Sequence, residues 1–550
     1  MQSGFTALER AISYVSPKWA AKRMQSRMQM SIANQFYGSF GSYDGASVTR
    51  RETNTWIPFG SDADTASVFD LPALRARSRD ALRNQPLALG AINTVVTNVV
   101  GPGLNPHPTI DAEYLGMSEV EADAWRQQTL REWALWAETH ECDHYRTQNF
   151  AGLQDLGFRS CLENGDTFAL MPRKYRPGSP YALKIQLVEA DRISNPNFAL
   201  NTTVQMAGIQ KDTDGVPLGC HIQKQHPGAM VAMNSQIFAW DYYPFFGAKT
   251  GERQVIHLMK KTRIGLTRGI PFLAPVIEPL KMLGRYKQAE LNAAVVSAMF
   301  SVFIKSEGAQ GLGSMAIAPG AAPVVNYGPQ HVAPSQQDIK LGNGAIVELG
   351  PGESIDIADP KRPNTAFDGF VSAVLKQIGV ALELPMEVLV KHYSSSYSAA
   401  RAAILDAWKM FLTRRDWLAD CFCQPIWETW LAEAVASGRV VAPGFFSDPL
   451  TRRAYSNCMW IGMPKGHIDE AKEISAAEKR MALGITTGEE ETLAYSGSSW
   501  TNKQPQRVKE RLLREQAGLP TPGVTVRDTG SPPVTPDPTA IDEVQGSESA

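Results

Sequence analysis

The 550 residues are 43% hydrophobic and 20% charged, with 54 Lys and Arg against 56 Asp and Glu, a formal net charge of −2. Such a length predicts roughly three to four domains, and so neutral a balance disfavours a protein that grips nucleic acid, because phosphate binding draws on Lys and Arg. The longest apolar run, near 293–304, is broken by Ser297 and Ser301 and falls short of the roughly 20 residues of a membrane span; with cysteines too sparse for a disulfide scaffold, a soluble, cytoplasmically made protein is expected.

The first sixty residues are rich in Ser, Gly and aromatic side chains. They carry Arg10, Lys18, Lys22, Arg23 and Arg27 but no apolar stretch of a secretory signal, and read as a poorly packed arm. From Pro86 a helix runs to Val100 and stops at Gly101-Pro102-Gly103. Another opens at Ser118, where Glu121 completes a capping box, and sets Trp125, Trp133 and Trp136 on one face. Between Cys161 and Gln210 helix and strand signals alternate, and Asp214-Gly215 marks a hairpin turn, so this part reads as one α+β body.

Residues 273–305 read as a long helix entered through Pro271, Pro275 and Pro279, and thirty helical residues reach about 45 Å. A Gly- and Pro-dense stretch follows over 307–363, in which 345–349 and 354–358 flank Gly350-Pro351-Gly352-Glu353 as a hairpin. Behind the cap candidates Asn364 and Thr365, the residues Phe367, Phe370, Val371, Val374, Leu375, Ile378 and Leu382 repeat at three- and four-residue steps, the signature of an amphipathic helix. Pro385 stops it. After a polar loop, Ala403, Ile404, Ala407, Trp408 and Phe411 restart the same period, in a helix expected to end at Gly438. Residues 469–516 are helical and charged with breaks at Gly484 and Gly497, and the Pro-, Ser- and acid-rich tail from Leu519 is too poor in apolar residues to order.

Candidate chemistry is thin. His140-Glu141-Cys142-Asp143-His144 packs metal-ligand types together but lacks a second ligand pair at zinc spacing, so it reads as a polar helix-end loop. Asp212-Thr213-Asp214-Gly215 is out of register for a calcium loop and reads as a turn. There is no phosphate-cradling G-x-x-x-x-G-K-[ST], no G-x-S-x-G nucleophile elbow and no H-E-x-x-H helix. The carboxylates Glu163, Asp166, Glu189 and Asp191 are of the type that builds two-carboxylate sites, but any large protein offers such pairs.

The segment 379–406, with Lys391-His392-Tyr393-Ser394-Ser395-Ser396-Tyr397-Ser398 between two helical patterns, resembles the tunnel-loop region of tailed-phage portal proteins of the lambda type. Further blocks follow the order of that family from about Ala81 to Ala517: Arg192-Ile193-Ser194-Asn195-Pro196, Gly208-Ile209-Gln210, Ile256-His257, Thr267-Arg268-Gly269 with Lys281-Met282-Leu283, Asn457 to Gly462, then Ile468-Asp469 and Lys472-Glu473. The resemblance implies a mainly helical α+β portal fold. Its parts would be an arm (1–60), an α+β wing (61–270), a first stem helix (271–305), a clip (306–363), a second stem helix (364–383), a tunnel loop (384–398), a long return helix and wing (399–465), a crown (466–516) and a disordered tail (517–550).

It further implies a structural protein without catalysis or cofactor, which assembles with itself as a ring, a dodecamer, at one capsid vertex. That ring nucleates procapsid assembly and passes double-stranded DNA. Partners would be the terminase large subunit, the major capsid protein, scaffold and head-tail connector proteins, with no membrane, in the virion and in the host cytoplasm during assembly. Lys391, His392, Tyr393, Ser394, Ser395, Ser396 and Tyr397 would face DNA in the channel. The competing reading is a hydrolase of nucleic acid or cell wall with an unrecognised carboxylate or metal site.

Overall fold

The computed structural model describes Trp19, Ser26 and residues 44–47, 50–58, 60–229, 238–298, 302–306, 353–357, 367–393, 396–466 and 470–519. Most of the expected arm, most of the expected clip and nearly all of the expected tail lie outside the described residues. Two compact units are distinguished. The smaller takes the N-terminal residues to Phe69 together with Arg263–Leu266, where the Arg263 guanidinium donates to the Ser61 carbonyl.

The larger unit begins with helices α1 (Leu71–Asn84) and α2 (Pro86–Val99), each with Pro in its first turn, where the missing N–H costs nothing. Strand β1 (Asn105–Pro108) leads to α3 (Glu119–Ala137), whose Ser118 and Glu121 form the reciprocal capping box. Helix α4 (Phe150–Asn164) then runs into β2 (Asp166–Leu170). That strand is buried along its whole length and lies between β3 (Gln186–Val188) and β8 (Val255–Met259), antiparallel to both. A second antiparallel sheet orders β4 (Gln205–Met206), β5 (Ile209–Lys211), β6 (Pro217–Gln223) and β7 (Trp240–Pro244) consecutively. Gly215, at φ 86, turns the chain between β5 and β6.

The long helix expected over 273–305 is shorter. α5 spans Ile277–Ala298, and Val302–Ser306 forms strand β9 instead, paired antiparallel with β10 (Glu353–Ile357). The run Val302-Phe303-Ile304 consists of β-branched and aromatic residues, which favour a pleated strand over a helix. Strand β10 thus takes a partner other than 345–349, which lie outside the described residues.

Helix α6 (Phe367–Ala381) packs beside α5, with Tyr286 stacked on Phe367 at 5.5 Å and edge-on to Phe370 at 4.9 Å between ring centroids. A five-residue helix α7 (Met386–Val390) follows, then α8 (Tyr397–Leu418). α8 continues through a π-helical turn at Ala419–Cys423 into α9 (Gln424–Ala436). Pro425 lacks the amide that would bond the Cys421 carbonyl, which accounts for the widened turn. Helix α10 (Pro449–Ser456) precedes β11 (Cys458–Ile461), which returns to pair with β1. Helices α11 (Glu470–Ala482), α12 (Gly488–Ser496) and α13 (Trp500–Gln516) close the described chain, with Gly484 and Gly497 in the left-handed region between them.

The core gathers around an aromatic cage. Trp133 meets Trp136, Phe150, Trp427 and Trp430 at centroid distances of 5.0 to 5.1 Å, joining α3 and α4 to α9. Among the described residues, no helix is long and apolar enough to cross a membrane.

Candidate functional site

The polar loop ahead of α8 is built on two successive helix terminations. α6 ends with Glu383 at φ 56, where the Leu384 amide bonds back to the Gly379 carbonyl at 2.8 Å and the Glu383 amide to Val380 at 3.3 Å. α7 ends the same way, with Lys391 at φ 55 and the His392 amide on the Glu387 carbonyl at 3.2 Å. Both are Schellman turns formed without glycine. The residues between them are not loop. Leu382, Leu384, Val388 and Leu389 are buried, so within the segment expected as a tunnel loop, 384–398, residues 384–390 are packed turn and helix rather than a polar loop. Apolar spacing at 384, 388 and 389 was the available signal, hidden by Pro385, which caps α7 rather than opening a free loop.

Lys391, His392 and Tyr393 are exposed, and Tyr397 is half out of the surface in the first turn of α8. Ser394 and Ser395 lie outside the described residues. Ser396 caps α8: its Oγ accepts from the Ala399 amide at 3.4 Å and lies 3.2 Å from Ser398 Oγ. This capping role was not read from the sequence.

Behind the loop, α8 is fixed by two buried arginines. Arg414 lies over the Phe272 ring at 4.5 Å and 3.7 Å from Glu383. Arg415 donates to the carbonyls of Val99 at 3.0 Å and Asn98 at 2.8 Å, capping the end of α2 with a cation where its dipole is negative. Gly462 makes room for this, since a Cβ there would lie 2.6 Å from the Arg415 guanidinium carbon. These contacts join the C-terminal half of α8 to α2 and to the end of α6.

A second concentration of charge sits around the start of β2. The Asp166 carboxylate accepts from Arg268 Nε at 2.6 Å, Arg268 Nη2 at 3.1 Å, Arg75 Nη2 at 2.8 Å and the Gly269 amide at 3.2 Å, with His257 Nε2 at 3.1 Å. Arg268 further donates to the carbonyls of Ile193, Ala207 and Ala190. Burial alone would push the Asp166 carboxyl up, but the two guanidiniums and the His257 contact hold it well below the usual carboxylate range. Asp191 pairs with Arg79 and lies 3.6 Å from Arg75.

These carboxylates are thus consumed in ion pairs that tie β2, β8 and the segment 190–207 together, and the hydrolase reading finds no support in them. Glu163, at the end of α4, is within electrostatic reach of Arg79 and Glu189, with burial pushing its carboxyl up, and His226 Nε2 lies 3.6 Å from Glu189 and 3.4 Å from Asp191. The 140–144 cluster is a 3-10 turn in which Asp143 accepts the amides of Tyr145, Thr147 and Gln148, while Cys142 is buried. Asp212 likewise accepts the amides of Asp214 and Val216. Among the described residues no group of three or more His, Cys, Asp or Glu is placed to hold a metal.

The family model described as phage portal protein, lambda family, matches residues 49–415. Portal protein B of Escherichia phage lambda is 28% identical over 509 residues, covering 88% of this chain and 91% of that protein. The portal protein of Escherichia phage N15 is 27% identical over 514 residues, covering 88% and 92%. Among solved structures, a chain from the neck of a native gene transfer agent particle computed with C12 symmetry aligns with a TM-score of 0.40 at 12% identity, covering 77% of this chain and 92% of that one.

Proposed function

Because the chain belongs to the lambda family of phage portal proteins, we propose that it closes as a homo-oligomeric ring, a dodecamer, at one vertex of the capsid, nucleates procapsid assembly and conducts double-stranded DNA during packaging and ejection. The observation that carries this reading is the family match over 49–415, a range that takes in the wing, both stem helices and the loop. Its capsid portal role is that of the family; the ring number, the partners and the assignment of parts are the proposal. The terminase large subunit docks on the clip at 306–363 and supplies the translocation energy, so the chain itself catalyses nothing. The major capsid protein, scaffold and head-tail connector proteins meet other faces of the ring, in the host cytoplasm and then in the virion.

In this reading α5 and α6 are the stem, α11 to α13 the crown, and 391–397 the part that faces DNA. The chemistry of the loop suits a conduit. One Lys391 and one His392 per subunit, beside the hydroxyls of Tyr393, Ser396 and Tyr397, allow transient phosphate contacts, while the near-neutral chain avoids a salt-resistant grip. Native mass spectrometry with negative-stain microscopy of the purified chain tests the ring: a closed ring with an axial hole is expected, and a salt-insensitive monomer at micromolar concentration overturns it.

A further inference from the structure

Helices α11 to α13 are tied to one another by charge. Arg480 grips the Glu491 carboxylate through two nitrogens at 2.7 and 2.8 Å, and the Thr501 amide donates to Glu489 Oε2 at 3.2 Å. Against the body of the unit they pack thinly. Of the residues from 470 to 519 whose burial is described, only Ser499 is buried. A groove of about 1120 Å³ lies between Trp408, Leu412 and Trp460 on the body and Ile474, Met481 and Tyr495 on α11 and α12. On the α8 side a charge contact crosses from Arg401 to Glu473 at 3.6 Å. A layer with so few buried contacts opens at a small fraction of the global stability.

On its other side the layer meets the body at a polar seam, a cavity of about 290 Å³ between β1, α3 and the starts of α12 and α13. Within it His107 Nε2 stands 3.9 Å from Glu489 Oε1. Ser499 holds the N-cap position of α13, yet its side chain bonds none of the helix amides. Its Oγ and Glu489 Oε1 are both sealed from solvent without a hydrogen-bonding protein partner, a cost that opening the seam to water would relieve. Asp123 and Arg126, paired at 2.6 Å, face His107 from α3, Glu489 faces it from α12, and from β11 the Cys458 thiol meets the His107 backbone. α13 adds Ser499 and Thr501. We propose that this seam is an acid-released latch: α11 to α13 stay seated while His107 is neutral and lift from the body when it takes up a proton, baring Trp408, Leu412 and Trp460. Burial, with Arg126 adding to it, holds the His107 imidazole below its ordinary range against the pull of Glu489 and Asp123. The seated layer thus prefers the neutral ring, and the lifted layer protonates first. The latch holds in full above about pH 6.5 and weakens as pH falls below it.

Hydrogen exchange on the full-length chain, corrected for the intrinsic pH dependence of amide exchange, tests it. Between pH 7.5 and pH 5.5, exchange over 488–501 should rise about threefold or more relative to α4 and β2, which report the body. Normalising to the body separates local release from a global loss of stability in acid. His107→Gln, which keeps a neutral polar side chain, should abolish the rise while exchange at pH 7.5 stays close to wild type. His107→Phe gives the same comparison where the glutamine variant folds poorly. Exchange over 488–501 that stays flat relative to the body, or that rises equally in both variants, overturns the proposal. Slower exchange in acid overturns it too, since the imidazolium would then pair with Glu489 and lock the layer in place.

Discussion

Asp166 and Arg268 stand 102 residues apart in sequence, yet the Arg268 guanidinium grips the Asp166 carboxylate through two nitrogens at 2.6 and 3.1 Å, both side chains being fully buried. Two glycines permit the approach. Gly165 and Gly269 face each other so closely that a Cβ on Gly269 would lie 2.0 Å from the Gly165 carbonyl oxygen. The Thr267-Arg268-Gly269 block is thus a unit, an arginine aimed by a backbone that only a glycine neighbour admits.

Replacing Arg268 with Met, or Asp166 with Asn, should destabilise the subunit by about 3–5 kcal/mol, because each leaves buried charge or carbonyl groups without a partner. Arg268→Lys should recover only part of this, since an ammonium cannot reproduce the bidentate contact and the three carbonyl bonds. Urea unfolding measures the loss; a change below about 1 kcal/mol for all three variants contradicts the assigned role.

Acid should weaken the same node in two steps. Burial, opposed by the Asp166 contact, holds the His257 imidazole below its ordinary range. The unfolded chain therefore binds more protons as pH falls through about 6.5, and stability drops with it. The Asp166 carboxyl is held well below its ordinary value, so its contribution, full above about pH 4, is lost as pH falls further toward the folded value. Urea midpoints measured from pH 8 to pH 3 should decline on acidification, and His257→Phe should flatten the limb near pH 6. A wild-type profile flat to pH 4 contradicts this.

Loop and helix variants should separate cleanly. Lys391→Ala with His392→Ala alters exposed side chains only, so subunit stability should change by less than about 0.5 kcal/mol while DNA packaging or retention falls. Phe411→Asp places a charge at a site only 3% exposed and should abolish folding. Trp408, half-buried at the groove, should tolerate Asp better than Phe411. Complementation of a portal-defective phage, scored for particles and for their DNA content, distinguishes the classes. Normal DNA content after loss of both loop residues removes them from the channel.

Glycine substitutions should split by environment. Gly269→Ala must displace backbone and should cost several kcal/mol, on the order of the 1–3 typical of overpacking or more. Gly90→Ala, in α2 where the added Cβ would meet nothing within 4 Å beyond its chain neighbours and its own helix backbone, should stabilise by roughly 0.5–1 kcal/mol through reduced backbone entropy. Thermal melting of the two variants should move in opposite directions.

Residue order alone determined the local punctuation of this protein. The capping box at Ser118 and Glu121, the glycine stop after α2, the turn at Gly215, the breaks at Gly484 and Gly497 and the helical stretches of α6 and α8 all follow from rules acting within a few residues. The residue pattern of 379–406 likewise carries the resemblance to the family without reference to tertiary contacts. Tertiary structure decided what local rules cannot price. Val302–Ser306 is strand-favouring by residue type, but it is the distant Glu353–Ile357 that supplies the edge it pairs with. Residues 384–390 coil into a packed helix because the core takes up Leu384, Val388 and Leu389, whatever Pro385 suggests locally. Asp166 and Arg268 become one site because chain segments far apart in sequence fold onto the same buried point, where the low dielectric makes each partner indispensable to the other.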